Sequence, residues 1–258
     1  MEISLSGRSA IVTGGSKGIG FAIATQFAKS GADVAIVARG RDALGEAVEA
    51  IKAKAQARIV GVQADVGVET DVQRAYGEAM KELGKIDILV NNAGTSRAAS
   101  FDQLTDEILH HDLEQKLFAA VRMIRLAVPQ MKERRWGRII NVLNIGAKAP
   151  RGNSMPTSVS RAAGMAMTKA LSHELAPHNI LVNAMLVGLI EADQHVQRAK
   201  RTNVPLDDYY KNAQKEIPIG RVGKAEEFAN LACFLASDAG SYITGTATNV
   251  DGGRSPVV

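Results

Sequence analysis

The stretch Thr13-Gly14-Gly15-Ser16-Lys17-Gly18-Ile19-Gly20 sets glycines at 14, 18 and 20 between an apolar run and a helical pattern. Glycines there permit a tight turn and close backbone approach, and a helix opening at once presents N–H groups and a positive dipole end. That is chemistry for a pyrophosphate, and the strand-then-helix context argues against a merely structural turn. Further along, Thr157 and Arg161 stand four residues apart just past Pro156. A helix starting there carries a hydroxyl and a guanidinium on one face. Such a face is either an active site or only a helix start.

A dinucleotide site selective for NAD wants a carboxylate about twenty residues past the glycines, on the ribose. This chain reads Ala38-Arg39-Gly40 there, and Asp33 lies at the other end of the strand. Arg39, with Lys17 of the glycine loop, suits a 2′-phosphate by charge and donor geometry. NADP(H) is therefore the preferred cofactor and NAD(H) the second choice. The bland alternative is two exposed cations.

The elements that would hold these groups alternate along the chain. SAIVTG, ADVAIVA, ARIVGVQA, KIDILVN, GRIINVL, NILVNAML and TATNVDG read as strands. GIGFAIATQFAKSG, RDALGEAVEAIKAKA, ETDVQRAYGEAMKEL, the long segment 106–135, 157–176 and 224–236 read as helices. Strands this apolar, separated by helices, predict a parallel seven-stranded sheet flanked by helices on both faces, in one doubly wound α/β Rossmann-type domain spanning 1–258. The one long irregular insert, 191–217, is expected to be a lid over a substrate.

These motifs together resemble the short-chain dehydrogenase/reductase family: TGGSKGIG at 13–20, Asp65-Val66 after the third strand, Asn91-Asn92-Ala93-Gly94 after the fourth, and ATNVDGG at 247–253. The resemblance covers essentially the whole chain. It implies an oxidoreductase acting on an alcohol or carbonyl. The implied cofactor contacts fall on Gly14, Ser16, Lys17, Gly18, Ile19, Gly20, Asp65 (to the adenine amino group), Val66, Asn92, Ala93, Gly94, Gly188 and Ile190, beside Arg39.

The family's catalytic Asn-Ser-Tyr-Lys set falls on Lys116, Asn144, Thr157 and Arg161, so all four positions are substituted. A shifted register does not restore it, because no tyrosine stands between Tyr76 and Tyr209 and no serine between Ser100 and Ser154. The Pro-Gly after the sixth strand reads Val187-Gly188, and the threonine that steadies the carboxamide reads Ala192. An aliphatic alcohol is a far poorer acid than a phenol, and an arginine does not relay protons. The usual mechanism is therefore not expected here. Two readings stay open. In one, Lys116, Asn144, Thr157 and Arg161 (the last also a ribose contact) form an atypical reductase site, with Lys116 depressed in pKa by a neighbouring cation. In the other, the pocket binds NADP(H) and an anionic ligand without turnover, or the chain is a structural or regulatory partner subunit.

Composition adds bounds. The chain has 258 residues, 46% apolar and 22% charged, with a net charge of +4. The basic run 132–138 is expected to be a solvated helix terminus, not a nucleic-acid contact. Cys233 is the sole cysteine, so no intrachain disulfide forms, and its apolar setting predicts a buried thiol. His110, His111, His173, His178 and His195 lack metal-ligand spacing. Asp112 and Glu174 read as exposed helix residues, and Tyr209 and Tyr210 as either ligand contacts or surface packing. With no leader and no long apolar stretch, a cytoplasmic protein away from membranes is expected. The apolar faces of 112–131 and 157–176 exceed what the sheet alone needs, and the resemblance implies that these helices pair in a homodimer or homotetramer.

Overall fold

The computed structural model describes residues 3–95, 97–191, 199 and 202–258. Its centre is a seven-stranded parallel sheet of β1 (Ser9–Thr13), β2 (Asp33–Ala38), β3 (Ile59–Gln63), β4 (Ile88–Asn91), β6 (Gly137–Asn144), β8 (Ile180–Val187) and β9 (Ala247–Val250), in the order β3-β2-β1-β4-β6-β8-β9. The helices α1 (Gly18–Lys29), α2 (Arg41–Lys52), α3 (Glu69–Leu83), α4 (Asp106–Leu113), α5 (Ala119–Arg134), α6 (Thr157–Leu175), α7 (Leu206–Gln214) and α8 (Ala225–Ala236) surround it. This is the doubly wound arrangement that the alternation predicts.

Strand periodicity explains the two layers. Ala10 and Val12 of β1 join Ile23, Phe27, Phe228 and Cys233 in one apolar cluster, while Ile11 points the other way to meet Val72, Ala75, Met123 and Met131. Every residue of β1 and β4 is buried, as strands covered on both faces should be. Cys233 lies in the first cluster, and burial pushes its thiol pKa up. Among the described residues no helix is long and apolar enough to cross a membrane.

Two features of the fold position the site. The chain leaves β1 for β2 on one side and later returns to β4 on the other, so the carboxyl ends of β1 and β4 flank a topological crevice. A two-residue antiparallel pair, β5 (Ala98–Ala99) with β7 (Met155–Pro156), then ties the loop after β4 to the start of α6.

The basic run 132–138 departs from expectation at its end. Arg138 is fully buried in β6, and its guanidinium carbon and that of Arg8 lie over the Trp136 ring, 4.2 and 3.7 Å from its centroid. Asp238 compensates, 3.7 Å from Arg138. A cation on a buried strand is tolerated because a ring face and a carboxylate receive it.

Candidate functional site

The glycine loop is built by crowding. Gly14 and Gly18 have φ of +67° and +55°. A Cβ on Gly20 would lie 2.2 Å from the Gly14 carbonyl oxygen, so the helix and the turn approach as only glycine allows. Asn92 closes the far wall: its Nδ2 donates to the Thr13 and Gly14 carbonyls at 2.9 and 3.2 Å. Thr13 Oγ1 accepts from the backbone N–H groups of Asn92 and Ala93 at 3.0 and 3.1 Å. The N-cap of α1, Lys17, makes no capping hydrogen bond with its side chain. The first-turn N–H groups of a helix have no intrahelical acceptors and carry the positive dipole end, so the loop fits a pyrophosphate.

At the next corner Arg39 lies 3.8 Å from Asp65, with two thirds of its side chain exposed. Asp65 Oδ1 also accepts from the Gly67 N–H at 2.9 Å and from Gln115 Nε2 at 3.1 Å. Val66 beside it is buried in the core. Gln115 escaped the sequence reading. It reaches Asp65 because residues Glu114–Phe118 form a single π-helical turn between α4 and α5, a distortion that nothing in EQKLF signals.

The same π-turn directs Lys116 inward. Its side chain is 2% exposed, and Nζ donates to Thr157 Oγ1 at 2.8 Å and to Asp112. Asp112 was expected on the surface; instead its side chain is 1% exposed and also accepts from Ser160 Oγ at 2.6 Å. Asp112 and Lys116 are i and i+4 on one continuous helix, and the face that turns inward carries both. Thr157 Oγ1 accepts a second hydrogen bond, from the Arg97 N–H at 2.9 Å, delivered by the β5–β7 pair.

Arg161 stands one turn along α6. Its Nη1 donates to the Val142 carbonyl at 2.8 Å, and its Nε is buried with no partner among the described residues. Lys116 and Arg161 converge on Gly94, where a Cβ would lie 3.0 Å from Lys116 Cγ and 3.3 Å from Arg161 Nη2. Burial, then the neighbouring Arg161 cation, lowers the Lys116 pKa to about 8 against the pull of Asp112. Burial lowers the Arg161 pKa to about 10, which leaves it charged at neutral pH.

The four positions therefore divide. Lys116, Thr157 and Arg161 form one cluster, joined by Asp112 and Ser160. Asn144 ends β6 apart from that network, its Oδ1 buried without a partner among the described residues and close to Gly146, where a Cβ would lie 3.1 Å from it. Gly188 is pressed against Asp251, where a Cβ would lie 2.4 Å from that residue's Cβ. Ile190 is buried in the core and bridges Gly223. A cavity of about 120 Å³ opens beside Ile190, walled by Leu189, Arg221, Glu227 and Asp251. It holds none of the Lys116 cluster.

Of the expected lid, Ala192 and most of its first half lie outside the described residues. The rest includes α7, where Tyr209 and Tyr210 meet edge to face at 5.7 Å and Tyr210 packs on Leu189, Ile217 and Val222.

Comparison with known proteins agrees with this architecture. The family model described as enoyl-(acyl carrier protein) reductase matches residues 14–255. The chain is 34% identical over 257 residues to 3-oxoacyl-[acyl-carrier-protein] reductase FabG of Aquifex aeolicus, covering 98% of this chain and 99% of that one. It is 36% identical to the L-sorbose reductase of Gluconobacter frateurii, solved with NADPH and L-sorbose, with a TM-score of 0.97 and full coverage of both chains. It is 33% identical to an NADPH-bound short chain oxidoreductase of Pseudomonas aeruginosa PAO1 described as containing an atypical catalytic center, with a TM-score of 0.93 and 99% coverage of each.

Proposed function

The chain belongs to the short-chain dehydrogenase/reductase family, and from that premise we propose that it is an NADP(H)-dependent reductase of a small carbonyl compound working through Lys116, Thr157 and Arg161. The glycine loop would hold the pyrophosphate, Asp65 and Val66 the adenine, and Arg39 with Lys17 the 2′-phosphate. NADPH-bound relatives of the same architecture support that cofactor.

One observation carries the catalytic part. A threonine hydroxyl has two acceptor positions and one proton to give. Both acceptor positions of Thr157 are filled, by Lys116 Nζ and by the Arg97 N–H. Its proton is thereby aimed at a third partner, and a substrate carbonyl oxygen is the fitting one.

The hydride would come from NADPH held by the glycine loop, Arg39 and Lys17. As negative charge develops on the substrate oxygen, the Thr157 proton passes to it and a Lys116 proton passes to Thr157 Oγ1. Lys116 is left as a neutral amine that regains its proton from water, which a pKa of about 8 makes easy near neutral pH. Threonine alone would be a weak acid; coupling to an ammonium 2.8 Å away makes the transfer feasible. Arg161 would hold ribose hydroxyls and lend positive charge to the developing oxyanion. The Oδ1 of Asn144, buried without a partner among the described residues, is available to accept a hydrogen bond from a substrate hydroxyl.

The test is Thr157→Val, followed by the reduced ring's absorbance over a carbonyl panel and by NADPH titration. The expected result is binding kept and turnover reduced by about 10²–10⁴. Full turnover in the variant contradicts the reading. A wild type that binds NADPH yet turns over nothing favours the non-catalytic binder. Assembly into a homodimer or homotetramer through α5 and α6, whose exposed Phe118 flank and Val159 are apolar, completes the proposal.

A further inference from the structure

The cluster around Thr157 is electrically unbalanced. Lys116 and Arg161 converge on Gly94, and Arg97 lies near enough to repel Lys116. Asp112 is the one carboxylate in contact with Lys116 among the described residues. Three cations face one anion, an excess of two positive charges, with Lys116 buried, Arg161 half-buried and Arg97 exposed at the mouth. Ser160, the other partner of Asp112, carries no charge.

The location of that excess matters because of the chemistry proposed above, on which this inference rests. A carbonyl oxygen bonded to Thr157 lies about 2.7 Å from Oγ1, and a hydride donor must come to about 3–3.5 Å from the carbonyl carbon. The reacting end of the nicotinamide therefore sits within roughly 7 Å of Thr157 Oγ1. The two redox forms of the cofactor carry the same phosphates and differ in ring charge: the oxidised ring is a cation, and the reduced ring is neutral.

We propose that the uncompensated cations of Lys116, Arg161 and Arg97 make this site select the reduced cofactor over the oxidised one. The protein is then biased toward carbonyl reduction, with the oxidised cofactor expelled after each turnover. Charges roughly 8 Å apart near a protein surface still repel enough for a preference on the order of tenfold. The same field attracts substrates bearing negative charge beside the carbonyl.

Equilibrium titration of the purified protein with NADPH and with NADP⁺ tests this without any turnover. The expected wild-type result is NADPH binding tighter by on the order of tenfold. Lys116→Met and Arg97→Gln should each shrink that ratio several-fold. In wild type the ratio should also fall as pH rises from about 6.5 to about 9, because Lys116, whose pKa burial and the neighbouring Arg161 lower to about 8, loses its proton over that range. Lys116→Met should show no such pH effect. The pH arm uses the unmodified chain, so it stands even where a variant folds poorly. Equal affinities in wild type, or a ratio indifferent to Lys116 and to pH, overturn the inference while leaving the proposed reductase intact. Rejection of both forms overturns the two together.

Discussion

The Lys116 ammonium and the Thr157 hydroxyl are joined by a buried 2.8 Å hydrogen bond across 41 residues of sequence. It exists because a π-turn rotates Lys116 inward from one helix and the β5–β7 pair anchors the start of another. π-turns inside α-helices are frequent at functional sites. This one sends Gln115 to Asp65 and Lys116 to Thr157.

Asp112 and Lys116 are a buried pair, and breaking it differs from removing it. Asp112→Ala, which leaves a buried ammonium without its counter-ion, should cost about 3–5 kcal/mol in denaturant unfolding. The double variant Asp112→Leu with Lys116→Met should be near wild-type stability or above it, and inactive. A stable Asp112→Ala protein contradicts the assigned burial.

Stability should depend on pH in a direction unusual for lysine. The folded pKa of about 8 lies below the unfolded value of 10.5, so between them the unfolded chain binds more protons. Unfolding free energy from this group therefore rises with pH across that interval and is level below about 8. The measurement is the difference between wild-type and Lys116→Met unfolding curves over that range. An opposite slope in the difference would show that the folded state retains the Lys116 proton more tightly than the unfolded one.

Arg39 should set the choice between phosphorylated and unphosphorylated cofactors. Arg39→Asp is expected to weaken NADPH by roughly tenfold or more and to improve NADH. Its side chain is 66% exposed, so the wild-type preference should narrow as salt is added. Competition titrations at two ionic strengths measure both effects.

Gly20→Ala places a methyl 2.2 Å from the Gly14 carbonyl. The turn and the helix must part, at a cost of about 1–3 kcal/mol and with loss of cofactor affinity. Thermal unfolding with and without NADPH reads both. Gly45→Ala, at a helix position where a Cβ meets nothing, is the control and should be neutral or stabilising.

The sheet and the glycine loop were legible because their signals are local: apolar strand runs, helical periodicity and glycines at a strand-to-helix turn. Arg39 and Asp65 were legible as candidates, and the structure sets them 3.8 Å apart. Asp112 was misread because a lone carboxylate on a helix looks solvated until its partner is known; the i, i+4 spacing to Lys116 was the available clue. Gln115 carried none, since a π-turn is set by packing of the whole helix and not by residue type. Two-residue strands such as Ala98–Ala99 are too short to show a period. They nonetheless place the Arg97 N–H on Thr157.

The central claim is that Lys116 furnishes the proton through Thr157, and the pH dependence of kcat/KM for carbonyl reduction tests it most directly. Wild type should be level below about pH 8 and decline above it, and Lys116→Met should be slower by about 10²–10⁴ with that break gone. An unchanged rate in Lys116→Met, or the same break without the lysine, would contradict it.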